Sequence, residues 1–218
     1  MAHGMHSVRA MRILLPLLLA ALPAFSTTIT YDHYLPRLYQ PIEVSLAGAV
    51  MTVNAGQIAV QFDDTIPALM YCADPVTWLL PGPVPVTAVS DSVFPNGARL
   101  AWLYNTYNAT LTEGWEAAAL QLAFWEIVLD NNDDNLNSGQ TRVTSNTNPF
   151  VAALAGAMLL ASAGQGSSGV TFWVPDQGPG YSQTLLTASA AAVTATPEPA
   201  GYLLFGAGLL FLGALRRR

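Results

Sequence analysis

Two rhythms of apolar and polar residues run along the chain. From Ile42 to Val53 and from Gln57 to Phe62, β-branched residues recur as they do in strands, and Asn54-Ala55-Gly56 between them predicts a turn. Asp63-Asp64 and Pro67 punctuate the pattern before Ala68-Leu69-Met70-Tyr71-Cys72. Residues 73–97 carry Pro75, Pro81, Pro83, Pro85 and Pro95, which predicts mostly loop. The period then lengthens. Asn96-Gly97 introduces a helical run from Ala98 to Tyr107, and Thr112 is placed to cap a second helix from Glu113 to about Leu129. Asn148 and Pro149 form an N-cap and first-position pair for a third helix ending near Gly164. Strand character returns over Val170–Val174 and Tyr181–Thr187. Strands, then helices, then strands predict an α+β body over residues 27–187: a partly antiparallel β-sheet or barrel with a cluster of about three helices.

The ends follow neither rhythm. Arg9 and Arg12 precede an apolar run, Ile13 to Phe25, that is interrupted by Pro16 and Pro23 and leaves through Ala24-Phe25-Ser26. A basic start, a short apolar stretch and a small-residue exit predict a secretory signal peptide over residues 1–26, with translation starting at Met1 or Met11. At the other end an Ala/Thr-rich linker, 188–196, leads to Pro197-Glu198-Pro199, an apolar run 200–215, and Arg216, Arg217 and Arg218. A 16-residue helix is about 24 Å long, slightly under the hydrocarbon core of about 30 Å. The arginines behind it orient the C-terminus to the cytoplasm and the body outside. Residues 197–218 resemble the PEP-CTERM sorting signal in motif, order and position. That resemblance implies a transient inner-membrane anchor, an exosortase-type sorting enzyme as partner, and a destination at the cell surface or in the extracellular matrix.

Composition narrows the choice of partner. The chain has 218 residues, 52% hydrophobic and 10% charged, with a formal charge of −6 and no lysine. Between residues 27 and 196, Arg37, Arg99 and Arg142 face thirteen acidic residues, a formal −10. Such a surface offers phosphates nothing to bind, so nucleic acid is excluded as a partner. Gly-rich phosphate loops, zinc-ligand clusters and Ser/His/Asp sets are missing from the sequence, and no cofactor is expected. Hydrolysis by a cysteine nucleophile needs a base beside the thiol. The body's single histidine is His33, and the expectation is a protein that is not an enzyme.

Two side chains do stand out. Cys72 is the only cysteine, so it has no internal disulfide partner. It reads either as a small buried hydrophobe or as a reactive thiol. Gln121 falls in or beside the apolar stripe made by Ala117, Leu120, Phe124, Ile127 and Val128 on the second helix. A buried carboxamide with unmet donors costs about 1–3 kcal/mol, so it must bond, reach water or react. One joint solution is condensation of the Cys72 thiol with the Gln121 carboxamide to an internal thioester. The aromatic residues Tyr71, Phe124 and Trp125 would shield it from water.

Tyr71-Cys72, followed by Gln121-Leu122-Ala123-Phe124-Trp125-Glu126, resembles the thioester domain (TQXA type) of bacterial surface adhesins over roughly residues 68–130. The resemblance maps the thioester cysteine to Cys72 and its glutamine to Gln121. Leu120 stands where that family often has threonine. It implies covalent attachment to an amine- or hydroxyl-bearing ligand. The absence of lysine fits a chain that does not quench its own acyl group, and it equally fits an arginine-preferring genome. The alternative is a non-covalent matrix or carbohydrate-binding protein in which Cys72 is inert and Trp78, Trp102, Trp115 and Trp173 stack on sugars. Finally, Asp130, Asn132 and Asp134 match three positions of a calcium loop, but Asn135 stands at the glycine position and Thr141 at the bidentate one. A solvated acidic loop is the stronger reading there, and a weak Ca2+ site the lesser one.

Overall fold

The computed structural model describes residues 26–33, 36–130, 133–178 and 180–189. The expected signal peptide (apart from Ser26), the sorting motif with its apolar run, and most of the linker lie outside these residues. Among the described residues no helix is long and apolar enough to cross a membrane.

In chain order the strands are β1 (Thr27–Tyr31), β2 (Tyr39–Leu46), β3 (Ala49–Gly56), β4 (Ile58–Phe62), β5 (Ile66–Cys72), β6 (Val84–Ser90), β7 (Thr141–Val143), β8 (Val170–Pro175) and β9 (Leu185–Ala188). The helices are α1 (Gly97–Tyr107), α2 (Gly114–Leu129) and α3 (Pro149–Ser162). Six strands close an antiparallel barrel in the order β1-β4-β5-β9-β8-β6, and β3-β2-β7 form a separate sheet. The fold is therefore mixed, with a barrel and three helices, as the alternation of periods predicts.

Side chains on alternate strand positions fill the barrel: Ile29, Val60, Met70, Val84, Val86 and Leu185 make one apolar cluster. A larger core lies between the barrel wall, the helices and the small sheet, and includes Val44, Tyr71, Leu100, Leu120, Phe124, Leu159 and Phe172. Helix α2 runs through it. Residues 117–127 are buried without a break, and the helix packs on α1, α3, β2, β3, β5 and β7. The single stripe expected from the sequence is thus replaced by a helix buried all round, as its alanine-rich sequence permits. Gly114 starts it because a Cβ there would collide with the backbone carbonyl of Tyr39.

Several boundaries differ from expectation, each for a local reason. The first hairpin turns at Ala47-Gly48, both at positive φ (49° and 85°), so Asn54-Ala55-Gly56 belong to β3 instead of a turn. Proline density hid β6: Pro85 pairs with Thr28, and the loop stops at residue 83. Strands β1 and β7 are too short to show a period. The cap of α2 is Glu113, which exchanges hydrogen bonds with the third residue, Glu116. Thr112 instead donates its N–H to Glu116 at 2.8 Å. The Asn148 cap stands as expected, accepting from the Phe150 N–H at 2.9 Å.

Candidate functional site

Cys72 is the last residue of β5, and its position follows from how β5 is paired. On one side β9 continues to the end, with Tyr71 opposite Leu186 and Cys72 opposite Leu185. On the other side β4 begins at Ile58, opposite Met70. Polar groups alternate along a strand, and the Ala73 N–H reaches Thr184 O on the β9 side at 2.8 Å. The N–H and C=O of Cys72 therefore point to the β4 side, past the end of β4.

Gln121 of α2 takes the missing strand's place. Its Oε1 accepts the Cys72 N–H at 2.9 Å, and its Nε2 donates to the Cys72 C=O at 2.7 Å. Cys72 is 2% exposed and Gln121 1%. The carboxamide that looked costly in the sequence is thus paired with the residue expected to react with it, 49 positions away. The sulfur itself accepts the Asp74 N–H at 3.3 Å. Burial pushes the Cys72 thiol up to about 12, against the pull of the Asp74 N–H and the Trp125 indole.

The three aromatic residues are all buried around this pair. Tyr71 points to the helical side of β5 and meets Phe124 edge-on at 5.4 Å and Tyr104 at 6.1 Å. Trp125 lies one helical turn beyond Gln121, on the same face of α2, and is 4% exposed. Sequence reasoning missed the segment 73–83, which leaves directly from Cys72. It spans the end of the barrel, packs Leu79 and Leu80 on the barrel cluster, and donates the Leu80 N–H to Ser182 Oγ at 3.3 Å. Its prolines were the available signal. Cys72 and Gln121 are both buried, so a ligand reaches the Gln121 carbonyl only when the structure around it moves.

The other candidates fall elsewhere. Of the four tryptophans expected to stack on sugars in the non-covalent reading, only Trp78, on the strap, is largely exposed. Trp102 packs against Tyr107, Trp115 against Phe150 and Trp173 against Phe62. His33 is exposed beside Tyr31. The oxygens of the acidic loop are engaged within the protein. Asp130 accepts the N–H groups of Gln140 at 2.5 Å and Thr141 at 2.7 Å, and Asp134 pairs with Arg99 at 2.8 Å. Gly139, at φ 78°, leaves room for the Asp130 carboxylate that a Cβ would fill. Asn132 lies outside the described residues. Among the described residues no group of three or more metal-ligating side chains assembles.

Glu126, next to Trp125, is wholly buried. Its Oε1 accepts the Asn135 N–H at 2.9 Å and its Oε2 has no partner. Burial first, and the charge of Asp130 second, raise its carboxyl from 4.5 to about 8. The folded chain then holds a proton that the unfolded chain has released, so stability falls as pH rises from about 5 to about 8. The limiting slope is about 1.4 kcal/mol per pH unit. Urea unfolding across that window should show the decline in the native chain, and Glu126→Gln should flatten it.

No family model, characterised protein or solved structure matches the chain. The functional reading therefore stands on the geometry at Cys72 and Gln121.

Proposed function

We propose that the chain is an exported surface protein that attaches covalently, once, to an amine- or hydroxyl-bearing ligand through a Cys72–Gln121 thioester. The observation that supports this reading best is the double hydrogen bond between the Gln121 carboxamide and the Cys72 backbone inside a closed core. In formation, the sulfur attacks the side-chain carbonyl carbon of Gln121. The C–S bond forms, the C–N bond breaks, and the thiol proton leaves with the amide nitrogen as ammonia. In attachment, a ligand amine or hydroxyl attacks the same carbon. The C–S bond breaks, an amide or ester joins ligand to Gln121, and the thiol returns with the proton the nucleophile gives up. Water competes for the acyl group, and the buried aromatics and the strap would exclude it.

The export route is part of the same proposal. A signal peptide, the Pro197-Glu198-Pro199 motif, the apolar run 200–215 and Arg216–Arg218 would carry the body through the inner membrane to exosortase processing outside the cell. An inert, sugar-stacking body has less support, since of the four tryptophans it would use only Trp78 is broadly available.

Intact mass of the purified chain tests the thioester. It should fall below the sequence mass by one ammonia, and methylamine should add at Gln121 while Cys72 becomes alkylatable after denaturation. Full mass with Cys72 alkylatable from the outset would overturn the proposal.

A further inference from the structure

The sulfur of Cys72 is the group that must carry charge whenever the link opens or closes, and it sits where water does not stabilise it. At 2% exposure, desolvation first, and the Asp74 carboxylate after it, oppose a thiolate. A thiolate is nevertheless the leaving group when an amine displaces sulfur from Gln121. Two N–H groups are available to it. One is the backbone N–H of Asp74, 3.3 Å from Sγ. The other is the indole N–H of Trp125, which is buried and has no hydrogen-bond partner at bonding geometry. Of the groups around the buried thiol it is, with the Asp74 N–H, one of the two that favour a thiolate. An unpaired N–H in a core is costly unless some state of the molecule uses it. Gln121 and Trp125 are four residues apart on α2, so the helix presents the acyl carbon and this donor on one face.

We propose that the Trp125 indole N–H, together with the Asp74 N–H, forms a two-donor cradle that takes up the negative charge on the Cys72 sulfur as the Cys72–Gln121 link is made and broken. This deepens the thioester reading and rests on it. In the neutral thiol the indole donor is under-used; as charge gathers on sulfur the N–H···S contact shortens and strengthens, which favours the transition state over the ground state. When the link opens, the electron pair of the C–S bond goes to sulfur, the cradle holds it, and a proton from the attacking amine then restores the thiol. Trp125 is thereby a reacting-site residue as well as a shield.

The test removes the donor and keeps the ring. Tryptophan at position 125 is replaced by benzothienylalanine, in which sulfur stands for the indole N–H, and in parallel by Trp125→Phe. Opening by methylamine, followed by mass, should slow by about 10- to 100-fold in both, the range expected for losing a hydrogen bond to a charged group. Wild-type opening kinetics in the benzothienyl variant would overturn the cradle and leave Trp125 as a shield; this variant carries the test if Trp125→Phe does not fold. A second readout does not need the thioester. The indole N–H proton resonance of Trp125 should move when Cys72→Ala removes the sulfur, and an unmoved resonance would overturn the contact. Failure of the thioester itself appears separately, as full mass in the native chain.

Discussion

Removing the Gln121 side chain is expected to cost the fold about 2–6 kcal/mol, because it strands two buried backbone groups of Cys72 at about 1–3 kcal/mol each. The N–H and C=O of Cys72 lie where β4 no longer runs, and the carboxamide is their partner. A thioester in the native chain would already have released the amide nitrogen, so the comparison belongs on a Cys72→Ala background. There the carboxamide is intact in every molecule, and Cys72→Ala/Gln121→Ala should unfold at markedly lower urea than Cys72→Ala alone. Gln121→Glu adds a signed control on the same background. A protonated acid keeps both contacts, whereas a carboxylate turns an oxygen on the Cys72 C=O. Its folded pKa is therefore raised, and its stability should decline as pH climbs from the ordinary carboxylate range. Equal urea midpoints for the Cys72→Ala pair would mean that Gln121 does not serve as the strand's missing neighbour.

The same pair marks how far the sequence could be read. A lone cysteine and a glutamine among alanines, leucines and aromatics are each costly where they stand, and shared cost pointed to a shared site. Helices were legible for similar reasons: Asn148-Pro149 and Asn96-Gly97 are local signals that tertiary context did not override. Barrel closure was not legible, since it depends on which strands meet. β1 pairs with β4 and β6, and β5 with β9, through contacts that leave no period in the chain. Pro85 even argued against β6, yet it sits at a position whose carbonyl is used, accepting from the Asp176 N–H at 2.9 Å. The backbone donor of Asp74 was equally invisible, because it arises from where β5 stops, and the prolines of 73–83 showed a loop but not that it crosses the barrel end. The acidic run 130–134 reads in the sequence as a loop before it reads as a Ca2+ site. Its residue types suit calcium, but Asp130 is used to hold the start of β7, and Asp134 is paired with a buried arginine.

That arginine is the second place where one side chain supports much of the fold. Arg99, on α1, is 8% exposed in a body that has only three arginines between residues 27 and 196. Its Nε donates to Ser162 Oγ at 2.9 Å, and its terminal nitrogen donates to Leu159 O at 2.9 Å and lies 2.8 Å from Asp134. One guanidinium thus joins α1 to the last turn of α3, whose final carbonyls lack partners within the helix, and to the loop after α2. Arg99→Leu takes the guanidinium from the Leu159 carbonyl, which keeps the Ser162 hydroxyl, and from the partly exposed Asp134 carboxylate, and each such loss costs about 1–3 kcal/mol. Arg99→Lys should recover little of it, because an ammonium is a point charge that does not match a fork of acceptors on separate elements. Asp134 is partly exposed, at 27%, so Asp134→Asn should cost less than Arg99→Leu, the difference reporting the anchor on α3. Urea unfolding of the three variants checks the order, and a loss below about 1 kcal/mol for Arg99→Leu would mean that apolar packing alone holds α1 to α3.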